Sequence, residues 1–156
     1  MPGEMKTNGT DDLIKMLSTL GSKAPDIAAQ ALYEGADVVA DAYSKAVDQI
    51  RTAKRRHNEP GGRLPTPEEK ESLRATGIAR FNKDADGVDT MVGVAEGYTE
   101  IRGRKKAIKL LARSVNSGTS FMKKQPVFRR ASTTSRAAAQ RAMVEKADEL
   151  INQIAK

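Results

Sequence analysis

Apolar residues recur at helical spacing in the first third of the chain. Between Pro25 and about Lys54, small and branched residues advance by three or four positions: Ala28, Leu32, Gly35, Val39, Ala42, Ala46 and Ile50. Most charged residues lie off this stripe, so the segment predicts an amphipathic helix with an Ala-rich seam. Pro25 suits the first turn, where its missing N–H would be unpaired in any case. At about 1.5 Å per residue, this helix would be about 40 Å long.

The pattern before this helix is shorter and more polar. Residues 1–10 predict a flexible N-terminal tail. Asp11 and Asp12 then stand where acidic residues favour a helix start, and apolar residues follow at helical spacing up to Leu20. Gly21-Ser22 is expected to interrupt that short helix before Pro25.

A break follows the long helix. Arg51 to Pro67 contains basic residues, His57 and a cluster of Pro and Gly, and it predicts a loop that is mobile at about 55–67. Thr66 followed by Glu69 is a capping-box pattern, which predicts a short helix over 67–75.

Two β-strands are predicted next. Residues 77–82 and 88–95 carry alternating or β-branched apolar positions, and the linker from Lys83 to Gly87 is a turn sequence in which Gly87 can adopt positive φ. The two strands therefore predict a β-hairpin.

The last third predicts helices. Residues 103–113 suggest a short basic helix, and 114–124 an irregular segment or a third short strand. Residues 134–155 predict a C-terminal helix with the seam Ala138, Ala142, Ala147, Leu150, Ile151 and Ile154. We therefore expect one α+β domain over 11–156, in which a long N-terminal helix and a C-terminal helix pack on a small antiparallel sheet of three to four strands.

Composition narrows the functional classes. The 156 residues are 38% hydrophobic and 4% aromatic, with no Trp and no Cys. Without Cys there is no disulfide scaffold, no Cys-ligated zinc and no thiol nucleophile. The N-terminus lacks the apolar core of a signal peptide, and no stretch approaches the roughly 20 apolar residues that span a bilayer. A core of small side chains suits helix packing and further burial against neighbouring subunits.

Charge is strongly segregated along the chain. Residues 1–50 carry 4 Lys and 8 acidic residues, a net charge of −4, whereas the remainder carries 23 basic and 12 acidic residues, a net charge of +11. No acidic residue lies between Glu100 and Glu145, where 12 basic residues occur: Arg102, Arg104, Lys105, Lys106, Lys109, Arg113, Lys123, Lys124, Arg129, Arg130, Arg136 and Arg141. This distribution favours an anionic partner, either nucleic acid or an acidic protein ring, with an ordinary solvated face as the alternative.

No catalytic or metal-binding pattern is complete. His57 is the only histidine, and no acidic residue nearer than Glu59 could orient it. The segment Asp84–Asp89 has part of a calcium-loop pattern but lacks its third acidic position and terminal Glu, and a hairpin turn accounts for the same residues. Gly97 and Gly103 do not fit a phosphate loop. We expect no enzyme, no metal and no cofactor.

The recognised nucleic-acid modules are also missing. The chain has no zinc-finger ligands and no aromatic sheet motif, and its aromatic residues are few. Any contact with nucleic acid would therefore involve phosphates and show no sequence preference.

One segment carries a recognisable pattern. Gly118-Thr119-Ser120 is followed by Met122-Lys123 and by 125–131, Gln-Pro-Val-Phe-Arg-Arg-Ala, which leads into the last helix. This resembles the tail-completion and head–tail joining proteins of long-tailed bacteriophages, and the order of predicted elements over about 11–155 is similar as well. The motif residues are Gly118, Thr119, Ser120, Pro126, Phe128 and Ala131. In physical terms, Gly118 would permit a tight approach, Pro126 would fix the chain before the last helix, and Phe128 would be an apolar anchor.

The resemblance implies a structural virion protein, made in the host cytoplasm and located in the neck or tail. It implies a homo-oligomeric ring, often a hexamer, that joins a head-closure or connector protein to the tail tube and lets DNA pass. The segment expected to face DNA or a partner is the basic run Arg102, Arg104, Lys105, Lys106, Lys109, Arg113, Lys123, Lys124, Arg129 and Arg130. The alternatives are a basic accessory protein that binds nucleic acid without sequence preference, and a small hydrolase or nuclease subunit.

Overall fold

The computed structural model describes residues 8–54, 58–59, 62–80, 82–84 and 87–156, with side chains at 12–54, 62–80, 82 and 87–156. Within these residues the chain forms four α-helices: α1 (Asn8–Ala46), α2 (Pro67–Ser72), α3 (Ile108–Ser117) and α4 (Val127–Ile154). Eight short strands complete the described part: β1 (Asn58–Glu59), β2 (Gly62–Arg63), β3 (Thr76–Ile78), β4 (Asn82–Asp84), β5 (Gly87–Asp89), β6 (Val92–Val94), β7 (Tyr98–Ile101) and β8 (Arg104–Ala107). The predicted α+β class, with a long N-terminal and a C-terminal helix, is confirmed.

Helices α1 and α4 pack together and run antiparallel. Tyr43 of α1 lies against Phe128 at the start of α4, and Gly35 lies against Met143 further along. A Cβ atom on Gly35 would stand 2.2 Å from Met143 Cε, so the two helices approach closely there. The small residues of the predicted Ala-rich seam are what allow this contact.

Helix α1 is longer at its start and shorter at its end than predicted. It begins at Asn8, inside the predicted tail, and continues through Gly21 and Pro25 without interruption. Pro25 removes only the hydrogen bond to the carbonyl of Gly21, and because Gly21 is exposed, water can satisfy that group. The helix ends at Ala46 rather than near residue 54, and a short 3-10 helix (Val47–Gln49) follows, which buries Val47 completely.

The predicted β-hairpin is confirmed, with a shorter turn than expected. β3 pairs with β6 and β4 with β5, all antiparallel, and Asp84 pairs with Gly87, whose φ is +146°. Three positions separate β3 from β4 in the first arm of the hairpin, whereas two separate β5 from β6 in the second arm. One additional residue on one arm is the arrangement of a β-bulge.

A second hairpin replaces the first turns of the predicted helix over 103–113. β7 and β8 pair in antiparallel register around Arg102 and Gly103, whose φ angles of 52° and 74° match a type I′ turn. Helix α3 therefore begins only at Ile108, and it extends to Ser117, so residues 114–117 are helical rather than irregular.

The described strands pair two by two and do not form one sheet of three to four strands. β1 pairs with β2 inside the region predicted to be a mobile loop, of which residues 55–57 and 60–61 lie outside the described part. Leu64 to Thr66, also assigned to that loop, are buried. None of the helices among the described residues combines the length and apolar character needed to cross a membrane.

The hydrophobic core lies where α1 ends and α4 begins. It contains Ala46, Val47, Ile50, Leu73, Leu111, Ala112, Val115, Met122, Val127, Phe128 and Ala131. Helix α4 starts at Val127, seven residues before the predicted Thr134, because its first turn is part of this core. Helix α2 has the predicted capping box between Thr66 and Glu69, and it ends at Ser72 rather than residue 75.

Candidate functional site: the Gly118–Ala131 segment and its basic surroundings

Gly118 ends helix α3 in a conformation that favours glycine. Its φ is +76°, and its N–H donates to the carbonyl of Ser114 at 2.9 Å. A Cβ at this position would lie 2.9 Å from Cβ of Lys124. The tight approach predicted for Gly118 is therefore confirmed, and its partner is the backbone region of Lys124.

Thr119 forms the turn that follows. Its Oγ1 accepts hydrogen bonds from the N–H groups of Phe121 at 3.2 Å and Met122 at 3.0 Å, while its own N–H donates to the Met122 carbonyl at 2.9 Å. Ser120 is exposed at the bend, and Phe121 is 79% exposed. Met122, by contrast, points into the core and is 4% exposed.

The segment after this turn pairs with β2. The N–H of Arg63 donates to the Phe121 carbonyl at 2.8 Å, and the N–H of Lys123 donates to the Arg63 carbonyl at 3.0 Å. Gly62 makes the approach possible, because a Cβ there would lie 2.8 Å from backbone atoms of Met122. The sequence signal for this contact was the Gly pair at 61–62, which the loop prediction treated as a source of flexibility.

Gln125 joins this segment to the end of the first helical region. Its Oε1 accepts from the N–H of Arg51 at 2.9 Å, and its Nε2 donates to the carbonyl of Arg51 at 3.2 Å. Its own N–H donates to the Val115 carbonyl at 2.7 Å. An amide side chain can pair with a backbone unit in this way because it carries both a donor and an acceptor. Sequence reasoning gave Gln125 no role.

Pro126 to Ala131 start helix α4 and enter the core. Pro126 stands at the N-cap, as its predicted position before the helix requires. Phe128 is 7% exposed, and its ring lies 5.5 Å from that of Tyr43 with an interplanar angle of 57°. The prediction that Phe128 is an apolar anchor is confirmed. The Oδ1 atom of Asn116 accepts a hydrogen bond from the N–H of Arg129 at 3.1 Å. This bond satisfies one of the backbone donors in the first turn of α4, which have no partner within the helix.

A buried carboxylate organises the basic residues of β2 and β8. Glu69 is 1% exposed, and its two oxygens accept hydrogen bonds from Arg63 at 2.8 and 2.9 Å, from Lys106 Nζ and from the Thr66 N–H. Burial alone would raise the pKa of Glu69, but the hydrogen bonds from Arg63, Lys106 and Thr66 lower this pKa from 4.5 to about 2. Lys106 is therefore held by an internal counter-ion.

The remaining predicted basic residues lie on several elements around this segment. Lys109 pairs with Glu96, and Lys123 is half-buried. The others are exposed: Arg102, Arg104, Lys105, Arg113, Lys124, Arg129 and Arg130. Arg102 and Arg104 line a cleft of about 300 Å³ with Thr66, Glu69, Ile101 and Lys106. The predicted basic segment thus divides into the ion-paired Lys106 and Lys109, the half-buried Lys123 and seven exposed cations.

The described side chains contain no group of three His, Cys, Asp or Glu residues arranged to hold a metal ion. His57 lies outside the described residues. In the comparisons with known proteins, no family model, no curated protein and no solved structure matches this chain.

Proposed function

We propose that this chain is a structural subunit of the neck or tail end of a long-tailed bacteriophage, where copies form a ring between the head connector and the tail tube and DNA passes through. The observation that carries the proposal is the packing of the Gly118–Ala131 segment, whose sequence resembles that of phage joining proteins. Within this motif Gly118 and Thr119 form the turn, and Phe128 and Ala131 pack in the core.

Three contacts of this segment support a structural role for it. Gly118 allows the chain to pass beside Lys124, Gln125 holds the backbone of Arg51, and Phe128 packs against Tyr43. Together they connect the end of α1, the end of α3 and the start of α4.

The exposed cations next to the segment supply a surface for a partner. Arg102 and Arg104 lie at the tip of the β7–β8 hairpin, and they make no ion pair with any described residue. Arg102 has positive φ, a backbone conformation that is costly for a residue other than Gly, Asn or Asp. We infer that this hairpin contacts the acidic surface of a neighbouring neck protein or the DNA phosphates in the lumen.

The test is complementation of a phage that lacks its copy of this gene. The double substitution Arg102→Glu with Arg104→Glu should yield filled heads and complete tails that remain separate in negative-stain images. Lys106 is left unchanged, because its ion pair with the buried Glu69 stabilises the fold. A matched control is Lys15→Glu with Lys45→Glu, which changes the charge equally at exposed positions on α1 and should restore infectious particles.

Two results would count against the proposal. Infectious particles in normal yield from the Arg102/Arg104 variant would exclude the hairpin as the joining surface. Normal particles in the complete absence of the protein would exclude any role in the virion. Tails of abnormal length would instead assign the ring to tail termination.

One observation favours a second function, binding of nucleic acid without sequence preference. Phe121 is 79% exposed, and the exposed Lys124 follows three positions later in the same segment. An exposed aromatic ring beside cations can stack on a base while the cations bind phosphates. This alternative predicts DNA binding by the isolated protein that falls steeply with salt and weakens when Phe121→Ala is introduced.

A further inference from the structure

The cleft beside the β7–β8 hairpin is lined mainly by polar and charged side chains. Its volume is about 300 Å³, and six described residues line it: Thr66, Glu69, Ile101, Arg102, Arg104 and Lys106. This volume is at the lower end of the range of about 300–1,000 Å³ that is usual for ligand pockets. Three of the six residues are cations, and Glu69 is the only acidic residue among them. The cleft therefore has the size and the charge for a small anion.

The carboxylate of Glu69 has no capacity left for further donors. It accepts two hydrogen bonds from Arg63, one from Lys106 Nζ and one from the Thr66 N–H. A carboxylate offers about four acceptor positions, so these four bonds occupy all of them. The internal anion thus compensates Lys106 and Arg63, and it leaves the two arginines of the cleft without a partner.

The register of the hairpin keeps other acidic groups away from these arginines. Arg102 and Arg104 form no ion pair with any residue in the described ranges. Arg104 pairs across the ladder with Ile101, whereas Lys105 pairs with Glu100. Because successive residues of a strand point to opposite faces, Glu100 and Lys105 lie on the face turned away from the cleft. The face towards the cleft therefore carries uncompensated positive charge.

We propose that this cleft binds a terminal phosphate group, either inorganic phosphate or a phosphate monoester, through Arg102, Arg104 and Lys106. Each guanidinium carries five N–H donors in a planar fork that matches phosphate oxygens. The Lys106 ammonium has three donors and uses one of them on Glu69, so two remain for the ligand. The site lies within one copy of the chain, so the inference goes beyond the proposed function and does not rest on it.

A terminal phosphate matches these groups better than other anions do. It carries a charge of about −1.5 to −2 at pH 7 and three strong acceptor oxygens, which equals the two uncompensated arginines in charge. A carboxylate side chain or a phosphodiester of a nucleic-acid backbone carries one charge and has fewer free oxygens. No aromatic residue is among the described residues that line the cleft, so the site has no platform on which a base could stack.

The closing experiment is a titration of the full chain, labelled with ¹⁵N, followed by nuclear magnetic resonance at constant ionic strength. Inorganic phosphate should shift the amide signals of residues 66 and 101–106 until they saturate, and methyl phosphate should do the same. Dimethyl phosphate and acetate, each with a single charge, should bind at least about tenfold more weakly. Adenosine monophosphate distinguishes the two sources: tighter binding than inorganic phosphate identifies a monoester as the ligand, whereas equal or weaker binding identifies free phosphate.

The test variant is Arg102→Asn with Arg104→Gln, which removes both uncompensated charges. Asn suits the positive φ of position 102, so the turn is retained. Phosphate binding should weaken at least about tenfold. The matched control is Lys105→Gln with Arg113→Gln, which removes the same charge at exposed positions outside the cleft and should bind phosphate as wild type does.

Circular dichroism checks the fold of each variant, and Arg104→Gln alone replaces a double variant that does not fold, with weakened binding again expected. The site is refuted if inorganic phosphate gives no saturable shift, or if dimethyl phosphate or acetate binds as tightly. Wild-type affinity in the folded test variant, or an equal loss in the control, would refute it as well. Since the titration uses the isolated protein, these results leave the proposed role in the virion untouched, and particles that form without the protein would refute that role alone.

Discussion

The buried carboxylate of Glu69 offers the sharpest test of how this fold is held together. Replacing it in Glu69→Gln keeps the size of the side chain and removes its charge. Arg63 and Lys106 then lose their shared counter-ion, and the amide presents a donor to one of the groups that previously donated to an oxygen. We expect the variant to fold less stably than the wild type.

The magnitude follows from two separate arguments. Lowering the pKa of Glu69 from 4.5 to about 2 corresponds to about 3 kcal/mol at neutral pH. Breaking a buried ion pair by removing one partner costs about 3–5 kcal/mol. Because the side chains of Arg63 and Lys106 remain 16% and 27% exposed, water can partly compensate for the lost charge. We therefore expect the free energy of unfolding to fall by about 2–4 kcal/mol.

The dependence on pH distinguishes the charge from the packing. A carboxyl group whose pKa is lowered by folding stabilises the folded state above its unfolded pKa of about 4.5, and this contribution is lost as the pH falls towards about 2. Wild type should lose stability over this interval. Glu69→Gln has no such group, so the difference between the two proteins should shrink as the pH falls.

The assay is urea unfolding followed by far-ultraviolet circular dichroism at several pH values. The matched control is Glu68→Gln, an exposed neighbour on the same helix, which should change the free energy of unfolding by less than about 0.5 kcal/mol. A Glu69→Gln variant within about 0.5 kcal/mol of wild type at neutral pH, or one whose pH dependence matches that of wild type, would refute this account.

Further predictions concern residues that the sequence or the structure singles out. Gln125→Ala should lower the free energy of unfolding by about 2 kcal/mol, because the backbone N–H and carbonyl of Arg51 lose their partner; an unchanged urea midpoint would contradict this. Gly118→Ala should lower the free energy of unfolding by about 2 kcal/mol, since the φ of Gly118 is +76° and Lys124 Cβ would lie 2.9 Å from the added atom. Gly77→Ala is its control: no atom lies within 4 Å of the added Cβ, so it should lower the free energy of unfolding by less than about 0.5 kcal/mol. Within α1, Gly35→Ala should lower the melting temperature, because the added Cβ would collide with Met143. Gly21→Ala, whose Cβ meets no atom within 4 Å, should raise the melting temperature, because Ala has a higher helix propensity than Gly by about 0.5–1 kcal/mol. Equal shifts of the melting temperature in the two variants would refute the close contact between Gly35 and Met143.

The existence of the two long helices was predictable from their periodic apolar positions, but the buried stripes were predicted only in part. Gly35, Ala46 and Ile50 of the predicted α1 stripe are buried, whereas Ala28 is exposed. In α4 the predicted seam is half-buried or, at Ile151, exposed, and the fully buried residues lie nearer the start of the helix. The helix boundaries were less predictable, because Gly21 and Pro25 are local signals of a break. Packing of α1 against α4 outweighs that local preference, since helices in proteins are stabilised chiefly by tertiary contacts.

The second hairpin was missed for a local reason. A type I′ turn usually carries Asn-Gly or Asp-Gly, and this chain has Arg102-Gly103. Of the strands on either side, β8 has three charged residues in four and β7 has one, and neither shows a clear alternation of polar and apolar positions. Only the ladder between Tyr98 and Ala107 identifies them.

The candidate site was predictable where a single residue has a strong local preference. Gly118 and Phe128 were identified from the motif, and each has the predicted environment. The hydrogen-bond partners of Gln125 and Glu69 were not predicted, because they are distant in sequence. Arg51, the partner of Gln125, is 74 positions away, and Lys106, a partner of Glu69, is 37 positions away. No pattern in the sequence relates residues at such distances without knowledge of the tertiary fold.

The segregation of charge has a consequence for how copies of this protein can meet. At a net charge of +7, two copies repel each other in most orientations. The residues up to position 50 nevertheless carry a net charge of −4 and the remainder a net charge of +11, so an orientation that places the first third of one copy against the rest of another is favoured electrostatically. Repulsion in other orientations and attraction in this one together make contact between copies selective, because competing orientations are penalised by the same charges that favour it.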